Sequence, residues 1–236
     1  MYDKFRRRIN YLRVSITDCC NLRCCYCRPA EGGAYCSNTL SYDELLRVCC
    51  CAAALGVDCF RITGGEPLVR PGVADFIAAL KALLGVRQVT LSTNGTHFAA
   101  HLPQLLAAGL DGVNFSLDTV DAALYRQLTG GELALALQGV KVAVQAGLPC
   151  KLNCVPLAGR TPQELWELLR FADSCGTPLR FIELMPLACN QGLQGLSGAQ
   201  VRALLAQAGV ELQPDGAPYG NGPAVYYRAA GCGVPI

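Results

Sequence analysis

Residues 57–70 read VDCFRITGGEPLVR, and this stretch decides how the chain folds. Its first half, 57–63, is rich in strand-forming side chains, and a glycine pair and a proline then break it. A helical pattern follows near 73–84. The same succession recurs along the chain. Strands are expected at 11–17 (YLRVSIT), 86–92 (VRQVTLS), 112–118 (GVNFSLD), 150–156 (CKLNCVP) and 179–185 (LRFIELM). Helices are expected at 41–56, 98–108, 132–146 and 161–175, with a last one at 197–208. Ser41 and Glu44 form a capping box at the start of the first helix, and Gly56 stops it. Six strand–helix units predict an α/β fold with a parallel sheet and helices outside it. A closed eight-unit barrel takes about 250 residues. Six units therefore predict a (β/α)6 partial TIM-type barrel over 1–210, with a short tail over 211–236 that holds one possible strand at 224–228.

Polar groups gather where these strands end. TGGE follows the second, STNG the third and SLD the fourth, ELM stands at the sixth, and a cysteine loop follows the first. Parallel strand–helix folds place their sites at that edge, because the connecting loops converge there.

Composition narrows the class. The chain has 236 residues, 52% hydrophobic and 16% charged, with a formal net charge of +2. That is no electrostatic footprint for nucleic acid. No apolar run reaches membrane-spanning length. The start, MYDKFRRRINYLRVSI, has no apolar segment of the secretory kind. Fifteen cysteines, an odd number in a chain of this size, fit no small secreted disulfide scaffold. A reducing cytoplasm is the expected setting, where clustered cysteines mean metal or redox chemistry.

The loop CCNLRCCYC, residues 19–27, holds five of them. Three readings stand side by side. A structural zinc wants four tetrahedral ligands. His97 and His101, at helical spacing, offer a second pair, though their segment looks like an ordinary helix face. Cys19, Cys24 and Cys27 give C-x4-C-x2-C, the plant-type [2Fe–2S] spacing, with a distant fourth cysteine. Cys20, Cys24 and Cys27 give C-x3-C-x2-C, which suits three irons of a [4Fe–4S] cube with one iron open.

With that last spacing the loop resembles the radical S-adenosylmethionine (SAM) enzymes. The ordered set YLRVSITDCCNLRCCYCRP, FRITGGEPLVR, LSTNG, VNFSLD, CKLNCV and RFIELMP resembles the GTP 3′,8-cyclases of molybdenum cofactor biosynthesis. The resemblance runs from about residue 9 to the YYR near the end. It implies one [4Fe–4S] cluster held by Cys20, Cys24 and Cys27, with SAM chelating the open iron. An electron from the cluster then cleaves SAM and releases a 5′-deoxyadenosyl radical, which opens the cyclisation of GTP to 3′,8-cyclo-7,8-dihydro-GTP. No side chain is implied as a separate catalytic residue.

The resemblance also assigns residues to each ligand. Tyr26 matches the residue whose backbone contacts the adenine, and Met185 the one that meets it at the sixth strand end. Gly64, Gly65 and Glu66 match the segment that holds the amino group, where absent side chains let backbone come close and a carboxylate or carbonyl faces an ammonium. Ser116 matches a further SAM contact. Arg13, Arg61, Lys151 and Arg180 match positions that contact GTP, and Ser92 matches a threonine there. Alternation along 150–154 puts Lys151 and Asn153 on one face and Cys150, Leu152 and Cys154 on the other, as plain apolar filling. Cys49, Cys50 and Cys51 fan around a helix and cannot converge on a metal, so they are expected as buried or half-buried packing. Cys36, Cys59, Cys175 and Cys189 match no ligand pattern.

The cyclases carry a second cluster on a C-terminal extension with a C-x2-C pair. Here the chain reads YYRAAGCGVPI, with Cys232 alone. The expectation is a radical-generating barrel followed by the start of an incomplete extension. A fragment, a truncated homologue and a radical SAM enzyme reassigned to another substrate all fit that pattern. From other classes, an iron–sulfur electron carrier and a zinc-binding module also fit the loop. The resemblance further implies an electron donor such as a flavodoxin or ferredoxin. An uncovered barrel opening predicts an apolar patch and pairing of two copies.

Overall fold

The computed structural model describes residues 2–27, 39–217, 219 and 224–236. Cys36 lies outside the described residues. In chain order the elements are β1 (Tyr11–Ser15), α1 (Tyr42–Ala54), β2 (Cys59–Thr63), α2 (Val73–Lys81), β3 (Gln88–Thr93), α3 (Phe98–Ala107) and β4 (Gly112–Ser116). There follow α4 (Ala122–Thr129), α5 (Leu133–Gln145), β5 (Cys150–Cys154), α6 (Pro162–Ser174), β6 (Leu179–Phe181), α7 (Gly198–Gln207), β7 (Leu212–Asp215) and β8 (Tyr226–Ala229). The sheet order is β1-β2-β3-β4-β5-β6, the parallel α/β class expected from the sequence.

The contacts group into two compact units. The first is Met1–Asn21, Gly33–Phe115 and Leu135–Pro149. Here β1 to β4 pair in parallel, with Arg13 opposite Arg61, Ser15 opposite Thr63, Arg61 opposite Thr90 and Ser92 opposite Asn114. Alternation gives the strands a second row, Val14, Phe60, Ile62, Val89, Leu91, Val113 and Phe115, and all of it is buried. Helix side chains fill the same core: Leu45 and Cys49 of α1, Phe76, Ile77 and Leu80 of α2, Phe98 and Leu105 of α3, and Val140 of α5. The Phe98 ring meets Phe115 edge-on at 5.0 Å. Each such large apolar side chain contributes about 1.5–3 kcal/mol on burial. The face carrying Arg13, Arg61 and Ser92 is left to polar groups.

Local signals set the ends of these elements. Ser41 Oγ accepts from Glu44 N at 3.3 Å, and Glu44 Oε2 accepts from Ser41 N at 2.7 Å, the capping box expected for α1. Gly56, at φ +96°, turns the chain after it.

The second unit is Leu22–Gly32, Ser116–Ala134 and Cys150–Ile236. In it β5 pairs with β6, placing Asn153 opposite Arg180, while β7 and β8 form an antiparallel pair. Leu152 and Cys154 are fully buried on the face away from Lys151 and Asn153, as alternation requires. The tail backbone is tied in as well: Tyr227 and Ile236 exchange two backbone hydrogen bonds, and Leu179 N donates to Pro235 O at 3.1 Å.

Several strands are shorter than expected: β1 ends at Ser15 instead of 17, β4 at Ser116 instead of 118 and β5 at Cys154 instead of 156, while β2 starts at Cys59 instead of 57. The sixth strand ends at Phe181 instead of 185, so ELM lies beyond it. The tail strand is Tyr226–Ala229 instead of 224–228. Two elements appear that the sequence did not announce, α4 and β7. Helix α4 is capped by Asp121, whose Oδ1 accepts from Leu124 N at 2.7 Å, and is ended by Gly130 at φ +71°. Its eight residues bury only Tyr125, Leu128 and Thr129, too short a stripe for periodicity to stand out.

Candidate active site

In the first unit, β1 runs into the opening of the cysteine loop, and the segment after β2 lies flat against it. Gly65 N donates to Thr17 O at 2.7 Å, and Glu66 N donates to Cys19 O at 2.7 Å. A Cβ on Gly64 would stand 2.4 Å from Thr17 O, and one on Gly65 would stand 2.2 Å from Cys19 O. Both contacts are backbone, so only glycine permits this approach. The Glu66 side chain turns inward and is 1% exposed. Its Oε1 accepts from Leu68 N at 3.1 Å and Thr93 Oγ1 at 2.8 Å, and its Oε2 accepts from Asn94 N at 2.7 Å. Burial holds this carboxyl above the ordinary carboxylate range, against the pull of those donors. What this segment presents outward is therefore backbone, while the carboxylate locks the end of β3. Asn94, so anchored, donates Nδ2 to Asn21 Oδ1 at 2.9 Å, with Cys20 Sγ at 3.8 Å.

In the second unit, α4 holds the rest of the loop. Arg23 N donates to Thr129 O at 2.8 Å and Cys25 N to Leu128 O at 2.9 Å, using carbonyls that a helix end leaves without intrahelical partners. Leu22 is buried beside Gly131, where a Cβ would stand 2.4 Å from Leu22 Cδ2. Cys27 N donates to Cys24 O at 3.0 Å and closes a turn around Tyr26. The Tyr26 hydroxyl donates to Asp118 Oδ2 at 2.6 Å. Burial, and then the Asp118 charge, push the Tyr26 hydroxyl far above its usual range. Asp118 itself is 3% exposed, and its Oδ1 accepts from Val155 N at 2.8 Å. The buried amide of Asn190 donates to Tyr26 O and to Met185 O, at 3.0 Å each. Met185 lies four residues past β6 with its side chain 67% exposed. Ser116 is exposed at the end of β4.

Cys20 and Cys24 are half-buried and Cys27 is exposed. As placed, and among the described residues, no three His, Cys, Asp or Glu side chains form a metal-holding group. The other cysteines divide by burial. Burial pushes the Cys49 thiol up to about 11 and the Cys150 thiol up to about 12, which leaves both inert. Cys50 and Cys51 are exposed, so of the three fanned cysteines only Cys49 packs. His101 Nδ1 lies 3.0 Å from His97 O, an ordinary helix contact.

The basic residues lie on the polar strand faces. Arg13 and Arg61 are register neighbours on adjacent strands. The Arg13 Nε donates to Tyr11 Oη at 3.4 Å, and the Arg61 guanidinium lies 5.3 Å from the centre of the Tyr11 ring. In the second unit, Lys151 Nζ donates to Tyr219 O at 2.5 Å, and Arg180 Nη2 donates to Tyr226 Oη at 2.5 Å. Asn153 Oδ1 and Arg180 Nε are buried beside each other without partners.

Comparison with known proteins matches this arrangement to a family. The model of the Radical SAM superfamily matches residues 14–172. A GTP 3′,8-cyclase of Geobacter sulfurreducens is 40% identical over 98% of this chain and 72% of its own length. One from Heliobacterium modesticaldum is 40% identical over 98% of this chain and 73% of its own. The chain belongs to the radical SAM superfamily and, within it, to the GTP 3′,8-cyclases.

Solved structures agree on the fold of this cyclase-family chain. Streptococcus suis SuiB bound to S-adenosylmethionine superposes with a TM-score of 0.72 at 20% identity, covering 85% of this chain and 47% of SuiB. Methylornithine synthase superposes with a TM-score of 0.64 at 18% identity, covering 80% of this chain and 58% of the synthase. Thus the chain spans about half of these structures and nearly three quarters of its cyclase relatives.

The cofactors of a radical SAM enzyme are a [4Fe–4S] cluster and SAM. The residues present fit them. The loop supplies three thiols as soft donors for iron: half-buried Cys20 in the first unit, where the segment after β2 holds the backbone of Cys19, and half-buried Cys24 and exposed Cys27 in the second, where α4 holds the backbone of Arg23 and Cys25. Sequence reasoning missed the groups that do the pinning: Asn94, Asp118, Thr129 and Asn190. The STNG and SLD motifs contained the first two, but α4 had to be seen for Thr129, and Asn190 ends a single 3-10 turn, Ala188–Asn190, too short for a pattern to mark it.

Proposed function

We propose that this chain converts GTP to 3′,8-cyclo-7,8-dihydro-GTP in molybdenum cofactor biosynthesis, with Cys20, Cys24 and Cys27 as cluster ligands. The register pair Arg13 and Arg61 carries the substrate side of this reading. Like charges opposite each other on neighbouring strands are destabilising, and an anion such as a nucleoside triphosphate would offset that. Lys151 and Arg180 add two cations on a polar face of the second unit. Phosphate oxygens would replace the tyrosine groups that they now hold. Ser92 offers a hydroxyl in register with Asn114.

The bound cluster and SAM supply the electron transfer that yields the 5′-deoxyadenosyl radical. The chain's part is placement. Gly64 and Gly65 open main-chain groups to the amino group of SAM, while Glu66 holds the loop that carries them. The backbone of Tyr26, together with Met185, would meet the adenine, and Ser116 would add a hydroxyl. Residues 1–210 form the radical-generating core, with 211–236 as an extension. The electron comes from a flavodoxin or ferredoxin, the setting is the cytoplasm, and two copies pair. Among the described residues no helix is long and apolar enough to cross a membrane.

The test is anaerobic reconstitution, then SAM, dithionite and GTP deuterated at C3′. The expected result is 5′-deoxyadenosine carrying deuterium, together with a cyclised nucleotide. Undeuterated 5′-deoxyadenosine with GTP unchanged would assign the same radical chemistry to another substrate. No 5′-deoxyadenosine at all would overturn the reading.

A further inference from the structure

We propose that Asn190 is a positioning residue for the adenosine of SAM; this rests on the reading of Tyr26 and Met185 just given. Asn190 is 5% exposed, and its amide is fully committed. Nδ2 donates to Tyr26 O and Met185 O, at 3.0 Å each, and Oδ1 accepts from Leu187 N at 2.9 Å. The two carbonyls belong to segments far apart in sequence, and neither segment is a strand or a helix. No ladder of backbone bonds fixes them, so the amide does.

The chemistry is specific to asparagine. Only an amide offers two N–H groups to two carbonyls and an oxygen to a third main-chain group. A carboxylate of the same shape would set oxygen against oxygen. A carbonyl has two lone pairs, and Asn190 uses one of Tyr26 O. The Cys189 thiol lies 4.0 Å from the same oxygen, and a thiol is a weak donor that an amine displaces. The remaining lone pair suits the exocyclic amine of a purine. The exposed thioether of Met185, set by the same amide, suits contact with the ring. Asp118 holds the Tyr26 side chain independently, so the backbone and ring of Tyr26 are fixed by different residues.

The experiment compares the reconstituted wild type with Asn190→Asp and Asn190→Ala. Asn190→Asp keeps the side-chain shape and the acceptor for Leu187 N, which guards against loss of folding. Binding of SAM, S-adenosylhomocysteine and free methionine is measured anaerobically. Calorimetry reads the first two, and the perturbed spectrum of the reduced cluster reads methionine. Methionine shares the amino acid end of SAM and lacks the purine. Both variants should bind SAM and S-adenosylhomocysteine about tenfold more weakly, the loss of roughly one hydrogen-bonded contact. Methionine binding and iron content should stay at wild-type values. Purine-ligand affinities within twofold of wild type would overturn the proposal. So would an equal loss of methionine binding and iron, which would make Asn190 a support of the whole loop. A wild type that holds iron and binds neither SAM nor its homocysteine analogue would overturn the SAM reading itself.

Discussion

The hydroxyl of Tyr26 donates to Asp118 Oδ2 at 2.6 Å, tying the cysteine loop to the SLD segment through one part-buried hydrogen bond. Burial holds the Asp118 carboxyl above its ordinary range, while the Tyr26 hydroxyl, Val155 N and the Arg160 charge pull it down. The folded form thus keeps this proton to higher pH than the unfolded chain. The stability it contributes is complete below the ordinary carboxylate value and is lost as pH rises through the raised one. Denaturant titrations between pH 4 and 7.5 should show wild-type stability falling relative to Asp118→Asn as pH rises. Parallel profiles would contradict the assignment.

Glu66 is a second buried carboxylate with a different task. Glu66→Ala leaves Thr93 Oγ1, Asn94 N and Leu68 N without their acceptor. The expected cost is about 3 kcal/mol, since each stranded buried donor costs roughly 1–3 kcal/mol. Iron retention should fall with it, because Asn94 loses its anchor beside Cys20. Equilibrium unfolding and iron counting read the two effects separately.

The flat approach of backbone at Gly65 gives a sharper prediction. In Gly65→Ala the new Cβ would meet Cys19 O at 2.2 Å, so the loop and the segment after β2 must part. Overpacking of this kind costs roughly 1–3 kcal/mol. Gly216→Ala is the control, since a Cβ there meets nothing within 4 Å. Thermal unfolding with and without the cluster should separate them, with the control within about 0.5 kcal/mol of wild type.

On the substrate side, Lys151→Ala and Arg180→Ala should each weaken GTP binding about tenfold or more. Each removes a charged hydrogen bond to phosphate, a contribution of roughly 1.5–3 kcal/mol. GMP, with a single phosphate, should be affected much less. Calorimetric titration of both nucleotides measures this, and equal losses would place these cations elsewhere than at the triphosphate.

The strand–helix order was legible in the sequence because each strand is a short apolar run closed by glycine or polar residues. The polar strand ends were legible for the same reason. Helix α4 was not, since its buried stripe is three residues long. The end of β6 at Phe181 was hidden because Ile182, Leu184 and Met185 continue the apolar run after the ladder has stopped. The inward turn of Glu66 was invisible because a motif does not show which way its carboxylate points. That direction was decided by Thr93 and Asn94, nearly thirty residues away.

The choice of sulfurs is tested most directly by reconstituting Cys20→Ala and Cys19→Ala beside the wild type, then counting iron and sulfide and measuring 5′-deoxyadenosine after addition of SAM and dithionite. The wild type and Cys19→Ala should each hold about four irons and release 5′-deoxyadenosine, while Cys20→Ala should do neither. Loss of cluster and product in Cys19→Ala, with both kept in Cys20→Ala, would contradict the three-cysteine site.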